Sequence, residues 1–111
     1  MNQDISVVIP AYFNSDEFKL AFASVLSQSK CAKEIIVIDS SKDDLIQDYV
    51  NGISDDHETE IIYVRSQERL FPGAARNLGA SFAKHHWIAF LDSKTIPTSD
   101  WLKSTLDTAI S

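Results

Sequence analysis

One cysteine, Cys31, is too few for an internal disulfide, which fits a reducing compartment. No apolar run approaches the roughly 18 residues that a membrane-spanning helix requires. The opening Met1-Asn2-Gln3-Asp4 is polar and does not read as a signal peptide. Positive charge is also scarce: 10 Lys and Arg stand against 16 Asp and Glu, for a net charge of -6 at pH 7. With no Lys/Arg stripe to neutralise a phosphate backbone, nucleic acid is excluded as a partner. The glycine pattern of the dinucleotide fingerprint and the lysine pattern of the P-loop are both missing. His57, His85 and His86 show no metal-ligand spacing with Cys31, and no Ser/His/Asp nucleophile arrangement is recognisable. Repeats and low-complexity stretches are absent. The expectation is a soluble, cytoplasmic chain. Anions can still bind an acidic chain at helix amino-termini, at a local arginine or at a metal.

What the 111 residues do hold is enough for one small domain: 44% are apolar, which supports a packed core. Four strand-like runs stand out, at Ile5–Pro10, Glu34–Asp39, Glu60–Arg65 and Trp87–Asp92. Val7-Val8-Ile9, Ile35-Ile36-Val37-Ile38 and Ile88-Ala89-Phe90-Leu91 do not alternate with polar residues, which predicts strands buried on both faces of a parallel sheet.

Helical stripes lie between the runs. Phe18, Phe22, Val25 and Leu26 share a face after the capping candidates Asn14, Ser15 and Asp16. Ile46, Tyr49, Val50 and Ile53 form a second stripe before a loop at Asp55-Asp56, with Asp43 and Asp44 in its first turn. Ala75, Leu78, Phe82 and Ala83 form a third, with Pro72 in the first turn. Leu102, Leu106 and Ile110 form a last one, started by Thr98 or Ser99. The alternation β-α-β-α-β-α-β-α predicts an α/β fold, a Rossmann-like parallel sheet of order 3-2-1-4 with flanking helices. Its switch point lies between strands one and four, where open α/β sheets bind ligands.

The segments at that point are Pro10-Ala11-Tyr12, Asp39 and Asp92. Asp39 can accept an N–H from a ligand, such as the imide of uracil, or cap the following helix. Tyr12 can pack on a base or simply cover the sheet end, and main-chain groups of its loop can reach a base edge. Arg76, in the small-residue stretch Pro72-Gly73-Ala74-Ala75-Arg76-Asn77-Leu78-Gly79, has a planar fork suited to phosphate oxygens or to a salt bridge with Glu68. Asp92 can bind a divalent cation bridging a diphosphate, or pair with Lys94. Lys94 can itself neutralise phosphate charge.

Taken in order, several segments resemble the inverting family 2 glycosyltransferases of GT-A fold. They are Val7-Val8-Ile9-Pro10-Ala11-Tyr12, Ser24-Val25-Leu26-Ser27-Gln28, Glu34 to Asp44, Gly73 to Ala80 and Trp87 to Asp92. The resemblance implies a nucleotide-diphospho-sugar donor, often a UDP-sugar, and transfer to an acceptor hydroxyl that stays unidentified. It implies nucleotide-binding roles for Pro10, Ala11 and Tyr12 at the base, for Asp39 at the uracil, and for Arg76 and Asp92 near the diphosphate. It also implies a metal, Mg²⁺ or Mn²⁺, at Asp92.

The chain departs from the family at Lys94, which replaces the second acid of Asp-x-Asp and counts against a metal. The chain also stops at Ser111, before the half that binds acceptor and carries the general base. The expectation is therefore a single domain over residues 1–111, truncated to the amino-terminal donor-binding half, with no catalytic residue assigned. The alternative is a non-catalytic nucleotide-sugar-binding or protein-interaction module. Strand four has no following strand to cover its outer side, which predicts a homo-oligomer through that edge.

Overall fold

A computed structural model describes residues 3–12, 15–53 and 58–110. Asn14, the Asp55-Asp56 loop and His57 lie outside these residues, as does the side chain of Ile110. The elements run β1 (Ile5–Ala11), α1 (Ser15–Leu26), β2 (Glu34–Asp39), α2 (Leu45–Asn51), β3 (Glu60–Arg65), α3 (Pro72–Phe82), β4 (Trp87–Phe90) and α4 (Trp101–Ile110). The strands form one sheet in the order β3-β2-β1-β4, with every neighbouring pair parallel. Val7 pairs with Ile35, Ala11 with Asp39, Val37 with Tyr63 and Ile5 with Trp87. This is the Rossmann-like arrangement that the alternating pattern predicts.

The continuous β-branched runs of β1 and β2 are explained by their two covered faces. Side chains alternate across a strand, so Val7, Ile9, Ile35 and Val37 enter one core with Phe18, Phe22, Ile46 and Leu102. Val8, Ile36 and Ile38 enter another with Ala75, and Leu78 packs against it. In the first core Phe18, Phe22 and Tyr49 meet at centroid distances of 5.6, 6.1 and 5.8 Å, with Tyr49 edge-on to both phenylalanines.

The stretch of small residues in α3 acts at one point. A Cβ on Gly79 would lie 2.3 Å from Val8 Cγ1, whereas one on Gly73 would meet nothing within 4 Å. Gly79 is what lets α3 sit directly on β1, and that seating fixes where Arg76 stands. The far end of α3 is tied down by the fully buried Glu34, whose Oε1 accepts from the backbone N–H of Lys84 at 2.7 Å and from Ser6 Oγ at 2.7 Å.

Buried Gln28 closes the other side. Its Nε2 donates to Thr98 O at 2.6 Å and to Ser24 O at 3.1 Å, and its Oε1 accepts from Leu102 N–H at 3.0 Å. One amide thus joins the end of α1 to the start of α4 and satisfies a helix-start donor that has no partner within its own helix.

Three expectations need correction. The apolar run of the fourth strand is not buried on both faces: Ile88 and Phe90 are 39% and 43% exposed. The reason is position, because β4 is an edge strand and α3 packs over β1 and β2 instead. The strand is also shorter than predicted, ending at Phe90, although Leu91 N–H still bonds Val8 O at 3.0 Å. Second, Asp43 and Asp44 precede α2 rather than filling its first turn. Asp43 Oδ1 accepts from Leu45 N–H at 3.1 Å, and Asp44 pairs with Arg65 at 2.6 Å. Third, α4 begins at Trp101, one turn after Thr98.

Candidate functional site

A pocket opens at the carboxyl ends of the strands, at the switch point between β1 and β4. Pro10, Ala11 and Tyr12 enter it from β1, and Ser40 from the end of β2. Arg69, Leu70, Pro72, Ala75 and Arg76 form the wall from the β3–α3 loop and α3, and Asp92, Ser93 and Lys94 form the wall after β4. The β1 exit is fixed by Ser40 N–H, which donates to Ala11 O at 2.9 Å. A second depression is lined by Tyr12, Ser15, Asp16, Ser41, Lys42, Asp43 and Leu45, so Tyr12 borders both.

Five of the six sequence-predicted residues, Pro10, Ala11, Tyr12, Arg76 and Asp92, are thus brought together. Asp39 is not among the lining residues. It is fully buried beside Ala11 at the end of β2. Its Oδ1 accepts from Ser41 N–H at 2.8 Å and from Ser41 Oγ at 2.6 Å, and its Oδ2 accepts from the Tyr63 hydroxyl at 2.5 Å. An ionised carboxylate offers about four acceptor positions, so one on Oδ2 is left. Asp39 does not cap α2, whose first N–H is taken by Asp43. Burial, followed by the hydrogen bond to Asp39 and the charge of Asp39, pushes the Tyr63 phenol well above its ordinary value.

The electrostatics of the pocket are the reverse of those of the chain. Arg69, Arg76 and Lys94 face a single acid, Asp92. Asp92 Oδ1 already accepts the backbone N–H of Lys94 at 2.9 Å, and Thr95 N–H closes a turn onto Asp92 O at 2.9 Å. Among the described residues no group of three or more His, Cys, Asp or Glu side chains is placed to hold a metal ion. One acid with one oxygen engaged and a lysine two residues on does not fit a resident Mg²⁺ or Mn²⁺. Arg76 is exposed and, among the described residues, forms no ion pair with Glu68.

Arg69 is the residue the sequence reading missed. Its guanidinium carbon lies 4.1 Å from the Tyr12 ring centroid and 4.8 Å from that of Phe71. The available signal was a cation in the short segment joining a strand end to α3, two residues before an aromatic. Its meeting with Tyr12 required the fold.

The family model described as "Glycosyl transferase family 2" matches residues 6–111. Among curated proteins, the succinoglycan biosynthesis protein ExoO of Rhizobium meliloti is 32% identical over 96% of this chain and 30% of its own length. The UDP-Glc:alpha-D-GlcNAc-diphosphoundecaprenol beta-1,3-glucosyltransferase WfaP of Escherichia coli is 36% identical over 80% of this chain and 34% of its own. The chain therefore spans about a third of the length of these relatives. Among solved structures, that of S. aureus TarS 1-349 in complex with UDP superposes with a TM-score of 0.73 at 23% identity, covering 94% of this chain and 31% of that one. The parallel sheet, its order and its flanking helices are those of the GT-A fold, and the chain belongs to glycosyl transferase family 2.

Proposed function

We propose that this chain is the donor-binding half of an inverting glycosyltransferase, and that its pocket holds a nucleotide-diphospho-sugar with UDP as the nucleotide. The observation that carries the reading is the pocket itself. It sits where the topology puts a ligand, it gathers three cations around one acid in a chain of net charge -6, and Pro10, Ala11, Tyr12, Ser40, Ala75, Arg76 and Asp92 in its walls come from segments that bear the family resemblance. Support for UDP comes from the donor in the printed name of WfaP and from the UDP in the TarS complex.

In this reading the backbone of Ala11 and Tyr12 meets the base. Asp39 accepts the uracil imide N–H through the acceptor position left on Oδ2, once the groups that bury it move aside. Arg76 and Lys94 face the diphosphate, and Asp92 orients the turn that carries Lys94. The acceptor hydroxyl is activated by a carboxylate base, for which no residue of this chain is named. A cytoplasmic site of action belongs to the same reading and is supported by the free, exposed thiol of Cys31. No helix among the described residues is long and apolar enough to cross a membrane.

Isothermal calorimetry of the chain with UDP, UDP-glucose, UDP-GlcNAc, ADP and GDP tests the proposal. Selective, saturable binding of the uridine compounds is the expected result, and equal or no binding across the series would reject it. One observation favours a second reading, a nucleotide-sugar-binding module without transfer chemistry: Lys94 and its N–H take up the ground where a second acid would stand. UDP-sugar binding in a longer form of the protein that turns over no sugar would select that alternative.

A further inference from the structure

The wall of the pocket contains an arrangement that the family resemblance did not assign. Arg69 lies in the loop between β3 and α3, with its guanidinium against the rings of both Tyr12 and Phe71. Phe71 is 64% exposed, so its ring adds little to the core, and Arg69 lies over it. Among the described residues Arg69 forms no ion pair, although Arg65 and Lys84 both do.

We propose that Arg69 is a ligand-contacting residue that carries diphosphate charge, and that Tyr12 and Phe71 hold its guanidinium plane in position. The assignment rests on the reading of the pocket as a nucleoside-diphosphate site. A guanidinium lying against aromatic faces keeps its in-plane N–H donors free. Those donors form a planar fork that matches two oxygens of one phosphate. A long side chain already held by two rings also loses less rotamer freedom when it takes up a ligand. With Arg69 counted, three cations surround the place where a diphosphate would lie, and only Asp92 opposes them. The charge that a divalent ion would otherwise offset is met by side chains. One face of Tyr12 is occupied by the guanidinium, which assigns Tyr12 to the base through its main chain rather than through that face.

The test is calorimetry in EDTA with UDP, uridine and inorganic pyrophosphate, on wild type and on Arg69→Ala, Arg69→Lys and Phe71→Ala. Arg69→Ala is expected to weaken UDP by about tenfold or more and to leave uridine affinity and the circular dichroism spectrum unchanged. Arg69→Lys should fail to restore UDP binding, because an ammonium offers no planar fork. Phe71→Ala, which removes one of the two rings against Arg69, should give a smaller loss. UDP affinity equal to wild type in Arg69→Ala would overturn the assignment, and so would an equal loss of uridine, which would place Arg69 at the base. Pyrophosphate separates this assignment from the one beneath it. Arg69-dependent pyrophosphate binding with no preference for UDP would keep Arg69 and reject the nucleotide reading. UDP binding indifferent to Arg69 would do the opposite.

Discussion

Tyr63 on β3 donates its hydroxyl to Asp39 at the end of β2, across 2.5 Å, and so occupies one oxygen of the acid that the resemblance places at the uracil. The Tyr63 pKa is raised, first by burial and then by Asp39. A group held in its protonated form by the fold contributes stability that is complete below its ordinary value of 10.0 and is lost as pH climbs from there toward the folded value. The urea midpoint should therefore drop above about pH 10, and Tyr63→Phe should lose much of that dependence. At pH 7 the same variant should cost about 1–2 kcal/mol, since it leaves a buried carboxylate oxygen with one partner fewer.

Asp39→Ala should weaken UDP by more than about tenfold, the worth of a charge-assisted hydrogen bond. The fold will also feel the change, because Ser41 and Tyr63 lose their acceptor. Asp39→Asn helps to separate the two effects, as it keeps one carbonyl acceptor. Calorimetric UDP affinity unchanged in a folded Asp39 variant would remove this residue from the base.

UDP affinity should be nearly the same in EDTA and in excess Mn²⁺. The pocket already carries Arg69, Arg76 and Lys94 against Asp92, and a further cation there is repelled. A large gain with Mn²⁺ that vanishes in Asp92→Asn would restore the metal to this site.

Gly79→Ala should be destabilising by about 1–3 kcal/mol, the usual result of forcing a methyl into a filled space. The added Cβ meets Val8 Cγ1 at 2.3 Å, and Val8 is fully buried. Gly73→Ala, with nothing within 4 Å, should be neutral or slightly stabilising. Urea titration of the pair gives the comparison, and equal midpoints would show that α3 can lift off β1 at no cost.

Among the described residues the outer edge of β4 bears no strand, and in these 111 residues taken alone Ile88, Phe90 and Phe82 are all partly exposed. Paired edges and covered apolar surface are the usual outcome of such a feature, so the chain is expected to self-associate as its concentration rises. Light scattering that reports a monomer across the whole series would refute this, and Phe90→Lys should suppress the association.

The sheet order and the position of the pocket were legible because the signals are local: β-branched runs, turn residues, and acids at strand ends. Other features depend on which residues the fold places side by side. The engagement of Asp39 by Tyr63 needs the register of β2 against β3. Arg69 meets Tyr12 only because α3 lands on β1. The exposure of Ile88 and Phe90 could not be read from a run that is as continuously apolar as Val7-Val8-Ile9 of β1, since coverage is decided by where α3 lands rather than by the strand. Gln28 falls in a segment that carries the resemblance, and its role in joining α1 to α4 depends on a partner element that begins at Trp101.

β1 precedes the other three strands in the sequence, yet it lies inside the sheet, with β2 on one side and β4 on the other. Its pairing of Ile5 with Trp87 joins strands far apart in the sequence. One side of its backbone ladder therefore waits until β4 has been made, and among the described strands no local hairpin shortens the search, because every pairing is parallel. A fold of such long sequence separations closes more slowly than a helical bundle of equal length. During that interval the apolar strand Ile5–Ala11 is open to other nascent chains. Recovery of the folded form is therefore expected to fall as the concentration of refolding chains rises.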